Sequence, residues 1–121
     1  MQIELLNDNF CVCKIDDVSQ ADIQSDFFFL AKTDSEISLV CKEFDAPKES
    51  VSVDRVWRGL RIVGTLDFSL VGILADISSV LAKAGAPIFA VSTYDTDYIL
   101  IKQDYLDKAL TALEESGYKI C

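Results

Sequence analysis

Two short stretches of this chain combine residue types that could bind a small charged ligand. They are residues 66–72 and residues 92–97. The first stretch predicts the start of a helix, where backbone N–H groups lack partners inside the helix and carry partial positive charge, so it could receive an anion. Carboxylates in the second stretch could accept charge-assisted hydrogen bonds from an ammonium group. Together the two stretches predict a small-ligand site.

Individual side chains define this chemistry further. Gly72 lacks a Cβ and would let a carboxylate approach the backbone closely, although it could equally serve only the close packing of helix on sheet. The predicted polar contacts to a ligand come from Asp67, Asp95, Asp97, Thr93 and Tyr94.

Most of these residues also have a purely structural interpretation. Asp67 and Ser69 could be helix caps, and Asp95 and Asp97 could form a turn, because Asp tolerates the backbone that turns require. Tyr94 could belong to the core. The occurrence of all of them on neighbouring elements favours a site, because the loop after a first strand and a hairpin turn can meet at one edge of a sheet.

The second half of the chain predicts the elements that would position these residues. Residues 60–66 are rich in β-formers, and the apolar residues from 70 to 84 follow one helix face that ends at Gly85 and Pro87. A hairpin, a second helix capped by Asp104 and a last strand over residues 118–121 follow. The resulting order βαββαβ predicts an α+β, ferredoxin-like fold, with both helices on one face of an antiparallel sheet.

The first half resembles a shortened copy of the second. Residues 28–42 align with residues 89–103 at an offset of 61, hairpin over hairpin. Only residues 16–26 remain for a connecting helix after a strand over residues 10–15. Pro47 lies in a segment of linker composition, and the predicted domains are therefore residues 1–53, a divergent β-rich half, and residues 54–121, a complete domain.

The amino-acid composition argues against several classes of function. The formal charge is −9, with 20 acidic and 11 basic residues, which disfavours nucleic acid or an anionic membrane as a partner. The chain has no histidine and no glycine-rich phosphate loop, so we expect neither an enzyme nor a cofactor. No signal peptide and no apolar run of about 20 residues is visible, and the expected location is the cytoplasm.

The four cysteines are expected to be reduced thiols in that compartment. Cys11 and Cys13 project to one side of a strand, but a Cys-x-Cys pair without a second pair or a nearby histidine is a poor metal signal. Cys41 and Cys121 are expected to be isolated. We therefore predict no metal site.

Residues 58–64, 66–75 and 88–98 resemble a known family. They are similar to the small bacterial stand-alone ACT-domain proteins, which are related to the regulatory domain of aspartate kinases and to the CASTOR arginine sensors. The resemblance implies an ACT domain preceded by a shortened ACT-like half. It also implies that a free amino acid binds where two ACT-like units meet. The ligand contacts implied in this chain are Asp67, Phe68, Ser69, Val71, Gly72, Ile73, Thr93, Tyr94, Asp95 and Asp97.

The hypothesis from the sequence is a non-enzymatic regulatory protein that binds a free amino acid and signals by altered association. Near-continuous apolar strands suggest that both sheet faces are covered, which a homodimer would supply. An unidentified regulated protein would be a further partner. The alternative is a dimerisation or docking module that associates without ligand and has a vestigial pocket.

Overall fold

The computed structural model of this chain describes residues 2–63 and 72–121. Two compact units are present. We call Met1–Asn7 with Arg58–Cys121 the helical unit, and Asp8–Trp57 the β-rich unit. The helices and strands are β1 (Gln2–Ile15), β2 (Phe28–Lys32), β3 (Ile37–Lys42), β4 (Ser52–Ile62), α1 (Ile73–Lys83), β5 (Ile88–Ser92), β6 (Asp97–Lys102), α2 (Leu106–Glu115) and β7 (Lys119–Ile120).

The division of the chain differs from the predicted boundary between residues 53 and 54. Residue 53 lies inside β4, which begins at Ser52 because a turn ends the preceding segment. In that turn the Ser50 backbone N–H and Oγ both donate to the carbonyl of Pro47, at 3.2 and 2.7 Å. The first residues of β1 belong to the helical unit, since Gln2 and Ile3 pair in parallel with β7.

The helical unit has the predicted ferredoxin-like order, from β4 through α1, β5, β6 and α2 to β7. Its strands lie in the order β1, β4, β6, β5, with β7 on the other side of β1. Both helices pack on one face, because their inward residues share one core with the strands. The buried members of that core are Ile3, Leu60, Ile62, Ile77, Leu81, Ala86, Ile99, Ile101, Ala109 and Leu113.

The two helices begin later than the sequence predicts. Gly72 occupies the N-cap position of α1, so the helix starts at Ile73 and not at residue 70. The N-cap of α1 is Gly72, and Asp67 and Ser69, which the sequence offers as caps, lie outside the described residues. Asp104 lies in a 3-10 turn, and α2 starts after it with Tyr105 at the N-cap. For α2, the 3-10 turn adjoins the helix and shifts its first residue.

The β-rich unit holds strands and 3-10 turns, and no α-helix occurs in its residues 8–57, all of which the structure describes. The segment predicted for a connecting helix forms a single 3-10 turn, Val18–Gln20. A capping box closes that turn: Asp17 accepts from Ser19 N at 2.8 Å, and Gln20 Oε1 accepts from Asp17 N at 2.9 Å. β3 pairs with β2 on one side and with β1 on the other, both antiparallel.

The hairpins of the two units correspond at an offset of 60 residues, one less than the sequence alignment proposes. β2 and β3 correspond to β5 and β6, and the burial along β3 and β6 follows the same order. Thr33 and Thr93 each donate a backbone N–H to the carbonyl three residues later, at 2.9 and 2.8 Å. The acidic turn residues match best at an offset of 61, whereas the turns are fixed by the threonine hydroxyls, which correspond at an offset of 60.

Candidate functional site

The turn at residues 93–96 is held by the side chain of its first residue. Thr93 Oγ1 donates to the carbonyl of Thr96 at 3.0 Å and accepts from Thr96 N at 3.4 Å. Such a hydroxyl replaces backbone partners in a tight turn. Thr93 is therefore bound within the turn, and its role as a ligand contact stays a prediction.

Thr96 connects this turn to the end of β4. Its side chain is buried, and its Oγ1 donates to the carbonyl of Ile62 at 2.8 Å. Ile62 is the last residue of β4, from which the chain continues towards α1. The sequence does not single out Thr96, because its residue type gives no sign of burial and the corresponding residue of the other hairpin is the exposed Glu36.

Gly72 is conformationally specialised. Its φ is +88°, in the left-handed region, and a Cβ placed on it would meet no atom of the described residues within 4 Å. The positive φ by itself accounts for a glycine at this position. The missing side chain would admit a ligand to the start of α1, where the first N–H groups have no partner within the helix.

The acidic residues of the turn lie in different environments. Asp97 is partly buried and accepts from Ser92 Oγ at 2.6 Å across the β5–β6 pair. Asp95 is exposed in the turn, and Tyr94 has 82% of its surface exposed, so the core interpretation of Tyr94 is wrong. Of the predicted ammonium acceptors, Asp97 is the one with a fixed carboxylate in the described residues.

The other predicted contacts divide between described and undescribed residues. Ile73 is the first residue of α1 and packs against the core of the helical unit. The predicted contacts Asp67, Phe68, Ser69 and Val71 lie outside the described residues.

Arg61 adds a positive charge next to the end of β4. Its Nε donates to Tyr98 Oη at 3.1 Å, and its Nη1 lies 3.3 Å from Glu4 Oε1. Since Ile62 faces the core, the neighbouring Arg61 faces the opposite side of the sheet. The Arg61 guanidinium therefore does not lie on the side of the sheet that carries the helices. On that side, the start of α1 is the described group that could receive an anion.

Three cysteine thiols lie close together within the β-rich unit. The Sγ atom of Cys11 is 3.6 Å from that of Cys13 and 3.7 Å from that of Cys41. The prediction that Cys41 is isolated is wrong, because β1–β3 pairing sets it directly opposite Cys11. The hydrogen bond with Cys41 lowers the pKa of Cys11 to about 7, whereas burial raises the pKa of Cys13 to about 11. The hydrogen bond with Cys11 raises the pKa of Cys41.

Comparison with known proteins shows the family to which this chain belongs. The model of the ACT domain matches residues 52–115, which is more than half of the chain. The chain belongs to the ACT-domain family. The ACT domain is a regulatory fold, and the residues that match include β4, α1, β5, β6 and α2.

Several solved structures are similar to this ACT-domain chain. A crystal structure of an Agrobacterium tumefaciens protein shares 27% identity at a TM-score of 0.88, covering 99% of this chain and 91% of the other. A Vibrio cholerae protein of unknown function, described as a possible transport protein, shares 17% identity at 0.77, covering 92% and 85%. The regulatory subunit of aspartate kinase from Thermus flavus shares 14% identity at 0.69, covering 96% and 97%. No curated protein matches.

These findings confirm the predicted ACT fold and its likeness to aspartate kinase regulatory domains. The relation to the arginine sensors, the shortened ACT-like first half and the junction of ACT-like units as the binding place stay predictions. In the described parts of the chain, no helix has the length and apolar character needed to cross a membrane.

Proposed function

We propose that this chain is a regulatory ACT-domain protein without catalytic activity, which binds a free amino acid and signals by altered association. The observation that carries the proposal is the hydrogen bond from Thr96 Oγ1 to the carbonyl of Ile62. It fixes the acidic turn at the strand end that leads to α1. An anion receptor and a cation receptor are thereby supported on neighbouring elements of one unit.

The two charged groups of a free amino acid indicate which groups of the chain would bind it. The α-carboxylate of the amino acid binds the N–H groups at the start of α1 that have no partner within the helix, beside Gly72. The α-ammonium donates to Asp97, whose carboxylate Ser92 already orients. An uncharged small molecule would use neither receptor, so we expect the zwitterion to bind better than its amide or its N-acetyl derivative.

Association involves a second copy through β5. This strand lies at the end of the sheet order and pairs with β6 alone in the described structure. Its residues IFAVS include no charge and no proline, the usual features that protect an edge strand. At the other end of the order, β2 carries Lys32. A ligand bound near the turn between β5 and β6 would alter the strength of such pairing.

The first experiment is a melting-temperature screen of the purified protein against each of the twenty amino acids at millimolar concentration. A ligand at about 100 times its dissociation constant adds about 2.7 kcal/mol, which raises the melting temperature by roughly 8 to 16 °C. We expect one amino acid, or one chemical group of them, to respond. Twenty unchanged curves from a protein that still associates would instead support the docking module.

A charge-removing variant then tests the site. Asp97→Asn keeps an oxygen that can accept from Ser92 but removes the charge that binds the ammonium. We expect the responding amino acid to lose at least about tenfold in affinity, since one charge-assisted hydrogen bond contributes about 1.5 to 3 kcal/mol. Asp34→Asn, in the turn of the β-rich unit, removes the same charge elsewhere and should bind as the wild type. Equal affinity in all three proteins would exclude Asp97 from the site.

A further inference from the structure

Three cysteine side chains of the β-rich unit meet on one face of its sheet. Cys11 and Cys13 are two residues apart on β1 and so face the same side. Cys41 on β3 is the direct cross-strand partner of Cys11. The three Sγ atoms all lie within 4.8 Å of one another, and two of the separations are 3.6 and 3.7 Å.

The two separations that involve Cys11 are close to those of sulfurs around one metal ion. With metal–sulfur bonds of about 2.3 Å, ligand sulfurs are about 3.8 Å apart in a tetrahedral site and about 4.0 Å apart in a planar three-coordinate one. The Cys11 pairs need to open by only a few tenths of an ångström to reach either value. The strand pairing therefore already assembles three ligands from two strands.

Packing alone does not require sulfur at these positions. The hairpin of the helical unit has Ile101 where the β-rich unit has Cys41, and both residues are buried. An aliphatic side chain therefore fills this place in the same hairpin. In the β-rich unit the thiols lie among apolar residues, with exposed fractions of 0% for Cys11, 1% for Cys13 and 2% for Cys41.

We propose that Cys11, Cys13 and Cys41 form a three-sulfur site for one soft d10 metal ion, with Cu(I) preferred over Zn(II). Thiolate is the ligand that soft ions select. Three sulfurs satisfy Cu(I), whereas Zn(II) takes a fourth ligand, and the metal-ligating cluster found in the described residues contains these three groups only. On binding, each thiol that becomes a ligand releases its proton to solvent.

The segment between β3 and β4 offers a route by which a metal ion could reach the three thiols. Ala46, from this segment, packs against the buried core that contains the three thiols. This segment is a short 3-10 turn followed by a loop that joins β1 through one backbone bond, Val51 N to Lys14 O at 2.8 Å. Opening it locally disrupts less structure than displacing a helix.

The test is a competition titration of the full chain, reduced and free of oxygen, with Cu(I) supplied as its complex with a coloured chelator. We expect one Cu(I) per chain to leave the chelator and a sulfur-to-copper charge-transfer band to appear in the ultraviolet. When Zn(II) is loaded first, Cu(I) should displace it. Failure to take Cu(I) from the chelator, or retention of Zn(II) against Cu(I), would overturn the assignment.

Variants identify the ligands. Cys41→Val and the more conservative Cys11→Ser should each weaken binding by more than the roughly 10- to 100-fold that loss of an outer-shell partner costs. The matched control is Cys121→Ser, because Cys121 is the exposed cysteine of the helical unit and should not affect the titration. Circular dichroism melting checks that each variant is folded. Binding that survives Cys11→Ser, or that disappears with Cys121→Ser, would contradict the site.

Discussion

Thr96 is a buried polar residue whose single hydroxyl bonds two elements of the helical unit. Its Oγ1 donates to the Ile62 carbonyl. The variant Thr96→Val keeps the shape of the side chain but removes this donor. We expect this change to lower the free energy of unfolding by about 1 to 2 kcal/mol, measured by urea denaturation. Thr111→Val makes the same replacement at an exposed position of α2 and should cost less. Equal losses would mean that the bond to Ile62 does not stabilise the turn.

Tyr118 provides a prediction about pH. Burial, with a smaller contribution from the hydrogen bond to Asp76, raises the pKa of Tyr118 to about 12. Because the folded protein favours the neutral phenol, this contribution to stability is complete below about pH 10 and is lost as the pH rises through about 12. An absorbance titration should therefore show one late tyrosine step, which Tyr118→Phe removes.

The control for that titration is the exposed Tyr94, whose replacement by Phe should leave the late step in place. Loss of the late step in Tyr94→Phe, or its survival in Tyr118→Phe, would contradict the assignment to Tyr118.

At the scale of elements, the start of α1 offers a matched pair of glycines. Gly72 before α1 and Gly117 after α2 have φ values of +88° and +98°, and a Cβ at either would meet no atom within 4 Å in the part of the chain that the structure describes. Alanine at either position should cost about 1 to 2 kcal/mol of stability from backbone strain alone. We expect only Gly72→Ala to weaken binding of the responding amino acid as well, measured by calorimetry. Equal affinity in the two variants would argue against binding at the start of α1.

The elements differ in how far the sequence predicted them. The β5–β6 hairpin and the order of the helical unit were predictable, because apolar spacing and turn residues are local signals. The first residue of α1 was not predictable from the sequence. Gly72 sets the start of the helix through a positive φ, which the spacing of apolar residues does not reveal. The approach of Cys41 to Cys11 required the β1–β3 register, which joins residues thirty positions apart. Long-range pairing of this kind leaves no pattern in a single sequence.

At the scale of the whole molecule, the proposed association of two copies depends on charge and on strand edges. A formal charge of −9 repels a second copy in general, so association needs a local apolar surface. β5 offers such a surface without a charged side chain, and β-strand addition along this strand would be isologous between two copies. We therefore expect light scattering after size exclusion to give twice the chain mass of 13.4 kDa.

A lysine on β5 should break this association through charge repulsion across the strand pair. Ala90 is exposed on β5, and Leu30 is the corresponding exposed residue of β2. Ala90→Lys should shift the measured mass to that of one chain, while Leu30→Lys at the other edge should leave the dimer intact, because like charges directly opposite are destabilising only where the strands pair. If Leu30→Lys gives the single chain instead, the second copy pairs at β2. A wild type that remains a single chain at all concentrations would mean that the amino acid signal passes to a different protein.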